Sequence, residues 1–235
     1  MIASGAMVAG AIPVMLTVDG GEGINLDRYL VRDNTTDKVQ TYRMESYQGD
    51  GFTIQSLVVK VNPDPMISYG ISIQDLGAAS TFSFSMASPI VADKYNHVTA
   101  SLAGSVTDGD PNPANASVTF TPAFGPLAQV AEDHVAGDGW VNDLVDIGGA
   151  AAWPVPLPLT FGSGTYPTVG AANNLVGGKV YDAMRVTLSF TGSGGDDIYT
   201  FNGRVDKTTV PDGGSMLVLL GSALSALAFV GRRMK

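Results

Sequence analysis

Cysteine is absent from the chain. That removes disulfides, thiolate zinc sites and cysteine nucleophiles together. Histidine is nearly absent: His97 and His134 are the only two in 235 residues, which excludes a multi-histidine metal centre. Glutamate is rare as well, with three Glu against nineteen Asp. Charged residues make up 15% of the chain, where roughly a quarter is usual. Basic side chains are the scarcer sign. The formal charge of −9 disfavours a nucleic-acid partner, which needs a basic face.

What is abundant points to strands and turns. There are 29 glycines and 13 prolines, and Asp, Gly and Pro are turn formers, whereas the missing Glu and Lys favour helix faces. A hydrophobic share of 45% supplies a real core. Alternation with period two recurs over residues 40–48, 52–62 and 66–76, separated by Gly49-Asp50-Gly51 and Pro63-Asp64-Pro65. It recurs over 81–86, 98–107, 117–121, 184–190 and 198–205. Phe82 and Phe84 alternate with Thr81, Ser83 and Ser85, which predicts one buried and one wet face. Eight or more short strands predict an all-β chain, an antiparallel β-sandwich of jelly-roll type, with a barrel as the alternative. The prolines of residues 153–164 forbid a central strand there and predict an edge or a long loop. Residues 128–135 fit a short helix or a strand equally well. No internal repeat stands out.

The run of residues 216–231 is uncharged and almost wholly apolar, and is followed by Arg232, Arg233 and Lys235. As a helix it is roughly 24 Å long, at the short limit for a hydrocarbon core of about 30 Å. The run has no polar face beyond Ser222 and Ser225, so the expectation is a transmembrane helix. Basic residues beside a span stay cytoplasmic. Residues 1–209 hold ten basic and twenty-one acidic residues and belong on the far side of the membrane. Val210, Pro211, Asp212, Gly213 and Gly214 precede the span. Pro211 keeps this stretch extended, and the glycines let another protein approach its backbone. At the other end, residues 2–18 are uncharged, and Ala9-Gly10-Ala11 fits a small-x-small cleavage site. Residues 1–11 therefore read as the remnant of a signal peptide, with the first strand beginning at Ile12.

The order of Pro-containing motif, apolar run and basic end resembles the PEP-CTERM class of bacterial C-terminal sorting signals. It is most similar to the VPDSG-type variant, with Gly213-Gly214 where that variant has Ser-Gly. The resemblance covers about the last 26 residues. It implies an exosortase-type membrane enzyme as partner, removal of the tail, anchoring in the inner membrane before processing, and delivery to the cell surface or outside. Residues 12–207 then form the ectodomain, 208–215 the linker and motif, 216–231 the span, and 232–235 the cytoplasmic end.

Chemistry-bearing residues are sparse. Asp108, Asp110 and Asn112 place oxygen donors on one loop, as calcium requires. The same residues make an ordinary solvated turn, and the EF-hand spacing fails because position twelve is Thr119. Asp196-Asp197 is a similar acidic pair. Asp133-His134 is the one local acid–histidine pair, but no G-x-S-x-G nucleophile turn accompanies it. No facing pair of carboxylates can be nominated for glycoside hydrolysis. Trp140, Trp153, Tyr166 and Tyr181 suit either a sugar-stacking platform or the core. No cofactor is expected beyond calcium. The chain reads as a non-enzymatic exported protein with a structural or interaction role, in contact with extracellular polysaccharide. A carbohydrate-binding β-sandwich is the alternative, and an extracellular hydrolase stands behind it.

Overall fold

Strict alternation along long strands decides the architecture, because each strand can bury only one of its two faces. The computed structural model describes residues 12–35, 38–109, 118–119, 129–136, 139–141, 163–175 and 179–209. Fifteen strands lie among these residues. They are β1 (Val14–Val18), β2 (Ile24–Asn25), β3 (Val31–Thr35), β4 (Gln40–Met44), β5 (Tyr47–Gln48), β6 (Phe52–Asn62), β7 (Met66–Asp75) and β8 (Thr81–Asp93). They continue with β9 (His97–Thr107), β10 (Val118–Thr119), β11 (Gln129–Val135), β12 (Gly139–Val141), β13 (Ser163–Asn174), β14 (Tyr181–Gly192) and β15 (Asp197–Thr208). One 3-10 turn, Asp27–Tyr29, follows β2.

The strands form two antiparallel sheets. A seven-stranded sheet runs β12-β11-β14-β8-β1-β2, with β10 beside β14. An eight-stranded sheet runs β13-β9-β15-β7-β6-β4-β3, with β5 beside β6. From β7 to β9 the chain alternates between the sheets, and β13, β14 and β15 do so again. The expected all-β antiparallel sandwich is therefore the observed fold.

One hydrophobic core lies between the sheets. Val14, Leu16, Phe82, Phe84, Val186, Leu188 and Phe190 enter it from the seven-stranded sheet, and Leu57, Val59, Ile71, Ile73, Tyr199, Phe201 and Val205 from the other. Aromatic rings link the layers: Phe52 contacts Phe82 at 5.8 Å, Phe82 contacts Phe190 at 5.3 Å, and Phe190 contacts Phe201 at 4.7 Å between centroids. Truncating one such buried ring to Ala costs about 3–5 kcal/mol. The ring of Phe201 lies where a side chain on Gly104 would stand, 2.6 Å from an added Cβ. Glycine at that inward position makes room for the aromatic on the neighbouring strand.

The strand expectations hold with several changes. Residues 40–48 divide into β4 and β5 around Glu45 and Ser46. Residues 129–135 are a strand, which resolves the helix-or-strand ambiguity. The predicted strand 81–86 continues to Asp93, through Pro89. Its pairing with β14 shifts register between Tyr181 and Ala183, beside that proline. The strand β13 was not anticipated. It contains Pro167 but lies at a sheet edge, and its register shifts between Tyr166 and Val169, the kind of irregularity a proline imposes. Among the described residues no helix is long and apolar enough to cross a membrane. The expected span 216–231, the motif 210–214, the basic end and residues 1–11 all lie outside the described residues.

Candidate functional site

Both acidic loops singled out in the sequence come to one place. Asp108 and Gly109 follow β9, Asp196 ends the turn before β15, and Asp197 opens that strand. The Gly109 N–H donates to Asp197 Oδ1 at 3.1 Å. The loops are so close that a Cβ on Gly109 would stand 2.0 Å from the Asp196 carbonyl oxygen. Asp197 is fully buried and also accepts from Ser193 Oγ at 2.5 Å and from the Tyr199 hydroxyl at 3.3 Å. Directly across the ladder, Asp75 on β7 pairs in register with Asp197 and is equally buried. Asp75 accepts the Ser80 N–H at 3.0 Å and the Ser80 hydroxyl at 3.1 Å.

These contacts tie three loops into a knot at one end of the sandwich. The Gly195 N–H donates to the Gly77 carbonyl at 2.9 Å, and Gln74 Nε2 donates to the Asp196 carbonyl at 3.2 Å. Burial pushes the Asp75 carboxyl above its ordinary range, against the hydrogen bonds from Ser80 that lower it. Burial also raises the Tyr199 phenol well above its ordinary value. Among the described residues no group of three or more acidic or histidine side chains is arranged to hold a metal ion. Asp110, the second expected calcium ligand, lies outside the described residues. In this knot the carboxylates Asp75 and Asp197 accept protein N–H and O–H groups.

A second polar cluster occupies the edge of the seven-stranded sheet. His134 Nδ1 lies 2.6 Å from Asp182 Oδ1, so its acid partner comes from β14, 48 residues along the chain. Trp140 on β12 pairs in register with His134, and the two rings meet edge-on at 5.4 Å. The Arg185 guanidinium lies 4.5 Å from the Trp140 ring centre and donates to Glu132. Trp140 remains 37% exposed. Of the other aromatics considered for sugar stacking, Tyr181 is fully buried in the core, with Lys207 Nζ 5.1 Å from its ring centre. Trp153 lies outside the described residues, and Tyr166 is placed on β13. His97 is the first residue of β9.

A third feature had no signal in the sequence. At the seam between the sheets, β2 of the seven-stranded sheet and β5 beside the eight-stranded sheet border an open groove of about 710 Å³. Glu22, Gly23, Ile24, Asn25, Asp27, Arg28 and Tyr47 line it. Its frame is held by backbone contacts: Asp27 Oδ1 accepts the Val14 N–H at 2.5 Å, and Asn25 Oδ1 accepts the Asp27 N–H at 2.8 Å. Leu26 between them is fully buried. The rings of Tyr29 and Tyr47 meet at 5.0 Å, and Arg28 lies 4.9 Å from the Tyr29 ring centre. The sequence hid this group because β2 is a two-residue strand, too short for periodicity to register, and the alternation over 40–48 that includes β5 does not say which segment comes to lie beside Tyr47.

The outer face of the eight-stranded sheet differs from both clusters. Ser56, Ser72, Thr200 and Ser105 are successive register partners across four strands and form a line of hydroxyl-bearing residues.

No curated protein sequence matches the chain. Among solved structures it is similar to TmCBM61 in complex with β-1,4-galactotriose, at 10% identity over 83% of this chain and 89% of that one, with a TM-score of 0.28. It is similar to the xylan-binding module CBM15 at 8% identity, over 77% of this chain and 97% of that one, with a TM-score of 0.27. It is also similar to an exo-1,3/1,4-β-glucanase from a Pseudoalteromonas species, at 10% identity over 87% of this chain but 20% of that one, with a TM-score of 0.27. Likeness at this level carries no functional argument. The tail is a different matter. Residues 209–234 match the VPDSG-CTERM motif, as the order of Pro-Asp motif, apolar run and basic end led one to expect, and the chain thus carries a sorting signal of the PEP-CTERM/VPDSG-CTERM class.

Proposed function

We propose that this is an exported bacterial surface or extracellular-matrix protein, delivered by its C-terminal signal, with a structural or interaction role and no catalytic one. The observation that carries the reading is the match of residues 209–234 to the VPDSG-CTERM motif. An exosortase-type membrane enzyme is the processing partner that motif implies. The span over 216–231 holds the chain in the inner membrane until the tail is removed. The sandwich, whose alternation between sheets supports a jelly-roll arrangement, is then left outside the cell.

The test is the mass of the mature chain recovered from the cell surface or medium. Wild-type protein should end before the apolar run, within or near residues 210–215. Replacing Pro211 and Asp212 together by Ala should leave the chain membrane-bound and full length. A mature wild-type chain that still ends at Lys235 would remove the processing claim.

Carbohydrate binding is the second reading, and specific observations favour it. Trp140 is exposed beside Arg185 on one sheet edge, and the Tyr29–Tyr47 pair flanks an open polar groove. Exposed aromatics among hydrogen-bonding side chains suit the apolar faces and polar rims of sugar rings.

A further inference from the structure

We propose that the seam groove formed by Glu22, Arg28 and Tyr47 is the ligand site of this protein, and that it takes a chain of a neutral polysaccharide. The inference deepens the interaction role proposed above and rests on it for its biological setting.

Volume comes first. About 710 Å³ falls within the range of roughly 300–1,000 Å³ typical of ligand sites. A second depression, of about 550 Å³, borders Tyr29 and is lined also by Arg32, Asp33, Arg43 and Glu45. Each ring of the pair therefore borders one depression, and the rings themselves are 5.0 Å apart. Two hollows that each border one ring of the same aromatic pair suit a polymer that reaches both, more than a single small molecule held in one.

Rigidity comes next. Asn25 and Asp27 are already engaged by backbone N–H groups, and buried Leu26 pins the segment between them. The frame is built without a ligand, so binding costs little ordering of the backbone. Tyr47 continues inward to Phe52, at 6.2 Å, and so is braced by the core.

The exposed chemistry decides the ligand class. Glu22 and Arg28 are both exposed at the groove. A carboxylate offers acceptors only and a guanidinium donors only, so together they match hydroxyls, which both donate and accept. Tyrosine rings offer flat apolar surface to the C–H face of a sugar ring. A polyanionic chain is disfavoured: across the two hollows Glu22, Asp27, Asp33 and Glu45 outnumber Arg28, Arg32 and Arg43, and the protein's formal charge is −9.

The experiment is affinity electrophoresis of the full-length chain in mild detergent. Gels contain mixed-linkage β-glucan, galactomannan or alginate. Wild-type protein should be retarded by at least one neutral polymer and less by alginate. Tyr47→Ala and Arg28→Ala should each weaken retardation tenfold or more. Tyr47→Phe, which keeps the ring, should retain most of it, and so should Val91→Ala, an exposed apolar position that lines neither hollow. Arg28 is exposed on the 3-10 turn, so its variant decides the matter should Tyr47→Ala fold poorly. Absence of retardation in both neutral gels would overturn the proposal. So would undiminished retardation of Arg28→Ala, stronger binding to alginate, or loss of binding in Trp140→Ala alone. Export is read separately, from the mass of the mature chain, so either reading can fail without the other.

Discussion

In the loop knot around Asp75 and Asp197, the buried carboxylates accept hydrogen bonds from neighbouring loops. In the seam groove, Glu22 and Arg28 stand exposed above a frame that other residues hold. The two regions use similar residue types, and burial separates their roles. An acid that is buried must be satisfied by the protein, and once satisfied it fastens loops. An exposed acid or base needs no partner within the chain, because water satisfies it, and so stays accessible to a ligand. The acid-rich loops drew notice in the sequence as possible calcium ligands, yet the structure uses Asp197 to organise the fold.

That contrast can be broken from either side. The largest effect should come from Asp197→Ala, which deprives the Gly109 N–H, Ser193 and Tyr199 of an acceptor in a buried setting. The Gly109 N–H is left orphaned, at about 1–3 kcal/mol. The Ser193 and Tyr199 hydroxyls, which keep each other at 3.0 Å, lose about 1 kcal/mol of bonding. A loss of about 3 kcal/mol is therefore expected, read from chemical denaturation. Next is Gly109→Ala. Its Cβ would meet backbone rather than a movable side chain, and overpacking of that kind costs about 1–3 kcal/mol. A melting temperature unchanged by this substitution would show that the two loops are not clamped together.

Asp75 gives a pH signature. Its folded-state pKa is raised, chiefly by burial, so the folded chain holds the proton more tightly than the unfolded chain does. The stability this contributes is present below the ordinary aspartate pKa of about 4 and is lost as pH rises through the raised value. Asp75→Asn, which mimics the protonated acid, should flatten that part of the stability curve. The check is the difference in melting temperature between variant and wild type across the acidic range. A constant difference would remove Asp75 as the titrating group.

On the groove side the expected stability effects are small. Glu22→Ala and Arg28→Ala should each change stability by no more than about 0.5 kcal/mol, the usual range for exposed positions. A loss of about 2 kcal/mol in either would mean that these residues fasten the fold as Asp197 does. The smallest effect concerns calcium. Adding a chelator should leave the melting temperature unchanged, since Asp197 is engaged by N–H and O–H donors. A clear drop would bring back Asp108 and Asp110 as ligands, because an ion bound only to the folded state stabilises it by mass action.

Local pattern alone was enough for the strand phases and the tail. Phe82 and Phe84 face the core as their alternation with Thr81, Ser83 and Ser85 required, because successive side chains on a strand point to opposite faces. The sorting signal is equally local, being an ordered run of residues 209–234 that needs no partner segment to be recognised. What the sequence could not determine was which distant residues meet. His134 stands next to Asp133 in the chain, yet its nitrogen meets Asp182. Gln74 reaches the Asp196 carbonyl across 122 residues, and the groove joins β2 to β5 from different sheets. Such meetings depend on strand order and register, which are chosen by the summed pairing and burial of the whole sandwich. No window of neighbouring residues contains that sum, so the candidate site came into view only when the two sheets closed on each other.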